Sequence, residues 1–213
     1  MPCCFRRRMK QRIEGSHRVP AKSTQLECHP LTPERWDDFA ALFGERGACG
    51  GCWCMYWRLT SAQFTQQKGA GNRRAMQKLV EAGELPGVLA YVDGQVVAWC
   101  AIAPRAMYVR LETSRVLQPV DDKPVWSISC FFVAKEERRR GLSVKLLKAA
   151  IEFVQARGGR IVEGYPIEPE KKQADAFVWT GLASAFRKAG FKEIARRSET
   201  RPIMRYEIRK KAA

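Results

Sequence analysis

The amino-acid sequence predicts an α/β fold, of the α+β kind, in which helices flank one sheet. Val125–Val133 is mostly apolar and rich in β-formers, which is typical of a central strand buried on both faces. After a polar turn, apolar residues recur at helical spacing from Leu142 to Phe153 and form one core-facing stripe. Two further apolar runs meet at Asp93-Gly94, a dipeptide that favours a two-residue β-hairpin turn.

Periodicity and turn residues divide the rest of the chain into further elements. The other predicted strands are Leu26–Leu31, Gly87–Val92, Gln95–Ala103, Arg160–Tyr165, Phe191–Ser198 and Arg201–Ile208. The other predicted helices are Pro33–Phe43, Ala62–Lys68, Asn72–Ala82, a short one within Arg105–Arg115, and Thr180–Lys188. Between the first two helices, Gly44–Arg58 concentrates glycines, cysteines and aromatic residues and predicts an irregular segment.

Length and composition are those of one globular domain: 213 residues, of which 46% are hydrophobic. No apolar run is long enough for a membrane span, and the N-terminus lacks the apolar stretch of a secretory signal, so we expect a cytoplasmic protein. The formal net charge is +16, much of it at the two ends of the chain. We expect residues 1–24 to be a disordered basic tail and residues 25–213 to be one domain. The basic ends favour a nucleic-acid-binding module as an alternative, but no motif that reads RNA or DNA accompanies them.

Cys49, Cys52 and Cys54 form a C-x2-C-x-C pattern. A zinc site would need a fourth ligand, for which Cys28 or His29 is available. No second C-x2-C or histidine pair supports such a site, so we expect no metal. The segment is interpreted as a packed cluster of aromatic rings and thiols.

The turn between the central strand and its helix has the chemistry of an anion site. A helix that begins after a glycine presents unpaired backbone N–H groups and the positive end of its dipole. Gly141 would let the backbone approach a ligand closely, and the arginines before it would add charge-assisted contacts. A solvated basic turn is the alternative interpretation.

At these residues the sequence resembles the GNAT superfamily of acyl-CoA-dependent N-acyltransferases, whose signature is V-x-x-x-x-R/Q-x-x-G-x-G/A. Val133, Arg138 and Gly141 occupy its fixed positions, and Ser143 departs from the final Gly/Ala but is still small. The resemblance implies a mixed, mostly antiparallel sheet of six to seven strands and acetyl-CoA as co-substrate. It also implies a coenzyme site, which comprises Phe131, Phe132, Val133, Arg138, Arg139, Arg140, Gly141, Leu142 and Ser143.

The resemblance further implies an N-acetyltransferase that acts on a primary amine of a small molecule or protein by direct attack. Backbone N–H groups near Phe131 and Val133 would stabilise the oxyanion. Because an alkylamine is protonated at neutral pH, a carboxylate is expected to take its proton; Glu163 is the first candidate and Glu112 the second. Each carboxylate is alternatively a member of a structural ion pair.

Phe186 stands where many members of the family place a tyrosine that acts as general acid. Tyr165 is the substitute candidate, or thiolate departure needs no acid. The phenylalanine also suggests an alternative function, a GNAT-fold sensor that binds acyl-CoA without turnover.

The irregular N-terminal segment covers the acceptor side in the family's arrangement. Trp53, Tyr56 and Trp57 are therefore predicted to line the acceptor pocket, with core packing as the rival interpretation. The expected partners are acetyl-CoA and an amine acceptor, without a membrane, and a homodimer is an open alternative.

Overall fold

The computed structural model describes residues 26–171, 173–174 and 177–209. The predicted tail at residues 1–24 lies outside this range. Seven strands form one sheet in the order β1-β2-β3-β4-β5-β7-β6. Their bounds are β1 Leu26–Pro30, β2 Gly87–Val92, β3 Gln95–Pro104, β4 Trp126–Val133, β5 Ile161–Gly164, β6 Lys192–Arg196 and β7 Pro202–Glu207.

Six α-helices accompany the sheet in the described part of the chain. Their bounds are α1 Trp36–Phe43, α2 Ser61–Gln66, α3 Ala70–Glu81, α4 Val109–Glu112, α5 Leu142–Gln155 and α6 Ala183–Lys188. A capping box of Thr60 and Gln63 begins α2, because each side chain accepts a backbone N–H of the other residue. None of the described helices is long and apolar enough to cross a membrane.

The sheet is mixed and mostly antiparallel, as predicted; β4 and β5 are its parallel pair. Their pairing is short and joins Trp126–Ile128 to Val162–Gly164. Beyond this point β4 runs on to Val133, while β5 has ended. A register shift on the β3 side, between Ala101 and Ile102, adds a local irregularity to β4 at the same place. The two central strands therefore separate, which leaves an opening beside the second half of β4.

The core has a layer on each face of the sheet. On one face α5 and α6 pack against the strands through Leu146, Ala150 and Phe186. On the other face α1, α3 and the irregular segment pack around Trp99. Trp99 and its neighbour Cys100 lie in different layers because successive residues of a strand point to opposite faces.

Candidate functional site

A cleft of about 630 Å³ lies beside the second half of β4 and the start of α5. We call it the basic cleft. The predicted coenzyme residues line it with one exception: Phe131, Phe132, Val133, Arg138, Arg139, Gly141, Leu142 and Ser143. The exception is Arg140, which is exposed and bonds the carboxylate of Glu137 at 3.0 Å. Arg140 pairs with Glu137 at the surface outside the cleft, and its part in coenzyme binding stays a prediction.

Gly141 lies at the end of this cleft where α5 begins. Its φ is +76°, a left-handed conformation that glycine adopts without strain, and α5 begins at the next residue. A Cβ at Gly141 would meet no protein atom within 4 Å. Arg138 closes the turn against the strand, because its Nε donates to the Val133 carbonyl at 3.0 Å. The first turn of a 14-residue helix therefore opens onto a cleft that arginines also line.

The backbone of β4 meets another segment across the opening. The N–H of Phe131 donates to the carbonyl of Trp179 at 2.6 Å. Strand alternation turns the N–H of Val133 toward the same side. The N–H predicted to meet an acetyl carbonyl is thus engaged by the chain itself in this conformation.

A second cavity, of about 270 Å³, adjoins the basic cleft, and we call it the aromatic cavity. The two share Ala48, Cys49, Phe131, Phe132 and Trp179 as walls. The remaining lining residues of the aromatic cavity are mainly rings and thiols: Phe43, Gly50, Cys52, Cys54, Tyr56, Trp57, Phe64, Lys68 and Cys130. A ligand in the basic cleft and one in the aromatic cavity would therefore meet beside Phe131.

Close backbone packing in the irregular segment builds one wall of the aromatic cavity. A Cβ on Gly47 would lie 2.1 Å from Trp53 Nε1, so only glycine allows the indole to pack there. A Cβ on Gly51 would lie 2.7 Å from the backbone N of Gly69. Ala48, Trp53 and Cys54 have positive φ although they are not glycines. Such conformations persist only where the surrounding packing determines them, which suits a wall of fixed shape.

Three of the cysteines form a sulfur cluster at the base of this cavity. Cys54 Sγ lies 3.4 Å from Cys130 Sγ and accepts a hydrogen bond from Trp99 Nε1 at 2.9 Å. Hydrogen bonding from the Cys54 side chain, helped by backbone bonds, lowers the pKa of Cys52 to about 7, while burial raises the pKa of Cys54. Within the described ranges, no group of three or more His, Cys, Asp or Glu residues could hold a metal ion. The segment is an aromatic–thiol cluster.

Two of the three predicted acceptor residues line the aromatic cavity, and the third lies in the core. Tyr56 and Trp57 line the aromatic cavity. Trp53 does not: it is 3% exposed and stacks between Trp36 and Phe43 in the core. For Trp53 the structure supports the core-packing interpretation, since the ring is part of the buried cluster around Trp99.

Phe64 and Trp179 line the aromatic cavity but were not predicted. Phe64 lies on α2, and its ring is 5.4 Å from that of Tyr56. Trp179 comes from the loop before α6, and its ring is 5.1 Å from that of Tyr56. Each is a single aromatic residue in its stretch of sequence, a signal that is too weak to place its ring.

The predicted catalytic side chains lie elsewhere, around a third cavity of about 350 Å³ that we call the polar cavity. Glu163 is 2% exposed, and its Oε1 accepts from Arg205 at 2.9 Å (Nε) and 2.6 Å (Nη2). Glu112 pairs with Arg105 at 3.0 Å. Neither carboxylate lines the aromatic cavity or the basic cleft, so the structure favours the ion-pair interpretation of both.

Tyr165 belongs to the same buried network. Its hydroxyl accepts from Arg105 Nη1 at 2.8 Å, bonds Ser127 Oγ at 2.8 Å and donates to Glu163 Oε2 at 3.3 Å. Burial raises the pKa of Tyr165 above its ordinary value, so it is a poor proton donor. Phe186 is fully buried, and its ring packs against Phe131. Among the described residues, neither ring places an acid in the basic cleft.

Comparisons with known proteins agree with this architecture. The model of the Acetyltransferase (GNAT) family matches residues 53–177, more than half of the chain. A search of the curated proteins found no match.

Several solved structures share the fold. A GNAT-family acetyltransferase from Listeria monocytogenes is 10% identical with a TM-score of 0.55, over 89% of this chain and 99% of that one. A second, from Streptococcus agalactiae, is 13% identical with a TM-score of 0.52, over 87% of this chain and 96% of that one. A third, from Streptococcus pneumoniae, is 15% identical with a TM-score of 0.50, over 86% of this chain and 99% of that one. At such low identity these similarities show the fold alone.

Proposed function

Since the chain belongs to the acetyltransferase (GNAT) family, we propose that it transfers an acetyl group from acetyl-CoA to a primary amine by direct attack. The amine belongs to a small molecule or a protein. The observation that carries this proposal is the junction of two cavities beside β4. One cavity offers an anion site at the start of α5, and the other offers an apolar space.

The pyrophosphate of acetyl-CoA would lie at the turn that contains Gly141. The first backbone N–H groups of α5 are free of intrahelical partners by the geometry of a helix, and the dipole favours negative charge there. Arg138 and Arg139 line the same end and add cationic groups. Open space at the Gly141 Cβ position leaves room for a phosphate against the backbone.

The acetyl group would lie beside Phe131, where the basic cleft and the aromatic cavity meet. Its carbonyl would take the Phe131 N–H now bonded to the Trp179 carbonyl, so binding exchanges one acceptor for another. A backbone donor fixed in this way stabilises the oxyanion that forms as the amine attacks. The coenzyme thiol titrates near 8.5, so it leaves as thiolate without a strong acid, which suits phenylalanine at position 186.

Phe186 also supports a second candidate, a protein that binds acyl-CoA without turnover. Its ring is fully buried and supplies no proton. The two candidates differ in whether thiol is released in the presence of an amine. A panel of amines with acetyl-CoA, read for thiol release and for acetylated product by mass spectrometry, separates them.

Two glycines at opposite ends of α5 give a matched test of the coenzyme site. Gly141 and Gly158 both have φ of +76°, and a Cβ on either would meet no protein atom within 4 Å. Gly141→Glu should abolish acetyl-CoA binding in calorimetry, because it adds bulk and negative charge at the anion site. Gly158→Glu carries the same strain and charge outside the basic cleft and should bind normally. Retained affinity in a folded Gly141→Glu protein contradicts the proposed site.

A further inference from the structure

We infer that the acceptor is a neutral aromatic amine, whose ring lies in the aromatic cavity and whose nitrogen meets the acetyl group beside Phe131. The inference rests on the proposed function and narrows its substrate class. It follows from three observations: which walls the cavity shares with the basic cleft, how large it is and which charges surround it.

The walls that the aromatic cavity shares with the basic cleft indicate where the acceptor nitrogen would meet the acetyl group. Phe131, Phe132 and Trp179 are walls of both spaces, so an occupant of the aromatic cavity is next to any thioester at β4. A ring that fills the cavity would therefore hold a substituent nitrogen at the reacting carbon.

Size and shape favour a flat ring. An apolar cavity of about 150 Å³ holds benzene, so one of about 270 Å³ suits one ring with substituents or two fused rings. The ring of Tyr56 is perpendicular to its neighbours, with interplanar angles of 81° to Phe64 and 76° to Trp179. Rings arranged edge to face present both faces and edges to an aromatic guest.

The charges near the cavity are positive. Lys68 is part of its wall, and the guanidinium of Arg110 lies 4.0 Å from the centre of the Tyr56 ring. Among the described lining residues there is no carboxylate to pair with an ammonium or to take its proton. An alkylamine is less than about 0.1% neutral at pH 7, whereas conjugation with a ring keeps an arylamine neutral. An arylamine therefore needs neither a counter-charge nor a base.

The test compares p-anisidine with 4-methoxybenzylamine, which differ by the single methylene between ring and nitrogen, and with spermidine. At pH 7 with saturating acetyl-CoA, kcat/KM for p-anisidine should exceed that for the benzylamine by about 10-fold or more. From pH 7 to 9 the p-anisidine rate should stay level, while the benzylamine rate should rise about 10-fold per pH unit. Faster acetylation of the benzylamine or of spermidine at pH 7 overturns the inference and leaves the proposed function standing.

A pair of variants ties the effect to the cavity. Trp57→Ala should raise KM for p-anisidine about 10-fold or more through lost ring contact, while the Kd for acetyl-CoA stays unchanged. Phe177→Ala removes an aromatic ring that is 66% exposed and outside both cavities, and should change neither value. An unchanged KM in the Trp57→Ala protein also overturns the inference. If acetyl-CoA binds but no amine is acetylated, both the inference and the transferase proposal fail in favour of the non-catalytic candidate.

Discussion

The polar cavity and the aromatic cavity lie near opposite ends of the same strand, and they have opposite chemistry. At the start of β4, the Arg205 guanidinium donates hydrogen bonds to the carboxylates of Glu163 and Asp121. At its end, the rings and thiols around Cys130 and Phe131 leave an apolar space. The first cavity has charges that satisfy each other, and the second has surfaces that only a ligand could cover.

The paired charges of the polar cavity indicate a structural role rather than a catalytic one. A carboxylate on a central strand suggests catalysis, yet both oxygens of Glu163 already accept hydrogen bonds from protein groups. Buried charges must be paired to be tolerated, and the partners of Glu163 satisfy that requirement without any substrate. The proposed chemistry therefore belongs to the end of β4 where backbone and rings, not charges, are presented.

We expect the greatest loss of stability when the ion pairs of the polar cavity are removed. Arg205→Ala leaves Glu163 buried without its partner and should lower the free energy of unfolding by about 3–5 kcal/mol. Chemical denaturation measures the loss. The control is Arg187→Ala, because Arg187 pairs with Glu168 on the surface, where such a change costs about 1 kcal/mol or less. Equal losses in the two variants would show that the buried network is not what stabilises this end of β4.

The second prediction concerns the reactivity of the Cys52 thiol, which lines the aromatic cavity. Because the pKa of Cys52 is lowered to about 7, its alkylation by iodoacetamide should rise about 10-fold from pH 6 to pH 8 and then level off. Peptide mass spectrometry on a Cys49→Ser protein follows the site. Cys28 is an internal control, since burial raises its pKa to about 11 and it should stay unmodified. A Cys52 rate that keeps rising beyond pH 8 would contradict the proposed sulfur cluster.

The smallest expected effect tests the acid side of the polar cavity. Hydrogen bonds from Arg205 lower the pKa of Asp121 from 3.8 to about 2. The folded pKa is below the unfolded one, so the stabilisation is present above about pH 4 and is lost as pH falls toward 2. Asp121→Asn should therefore have a melting temperature that falls less than that of the wild type over this interval. Parallel falls in both proteins would mean that other carboxylates, such as Glu168, account for the acid sensitivity.

Much of the fold could be predicted from local patterns. Three features are adjacent in sequence: the buried strand β4, the turn at Gly141 and the apolar stripe of α5. One short stretch of sequence therefore predicts all three. The Asp93-Gly94 hairpin is equally local. The same locality explains why the wall of the basic cleft that comes from β4, the turn and the start of α5 could be predicted, whereas the wall that includes Trp179 and Leu182 could not.

The aromatic cavity could be predicted only in part, because its walls come from distant segments. Trp179 reaches Tyr56 through a loop after β5, and no short pattern records that contact. The turn of Trp53 into the core depends on the close approach of Gly47. The pairing of Glu163 spans 42 residues, so sequence reasoning could weigh a base against an ion pair but could not decide between them.

The hydrogen bond from Phe131 to Trp179 has a consequence for affinity. The Trp179 carbonyl already lies at the position proposed for the acetyl oxygen. When the acetyl carbonyl replaces the Trp179 carbonyl, the number of hydrogen bonds stays the same. This contact therefore adds little net free energy to binding. Discrimination between a full coenzyme and a bare thioester would then fall almost entirely to the distant phosphate end. The strand would serve to orient the acyl group, and the helix terminus to retain it.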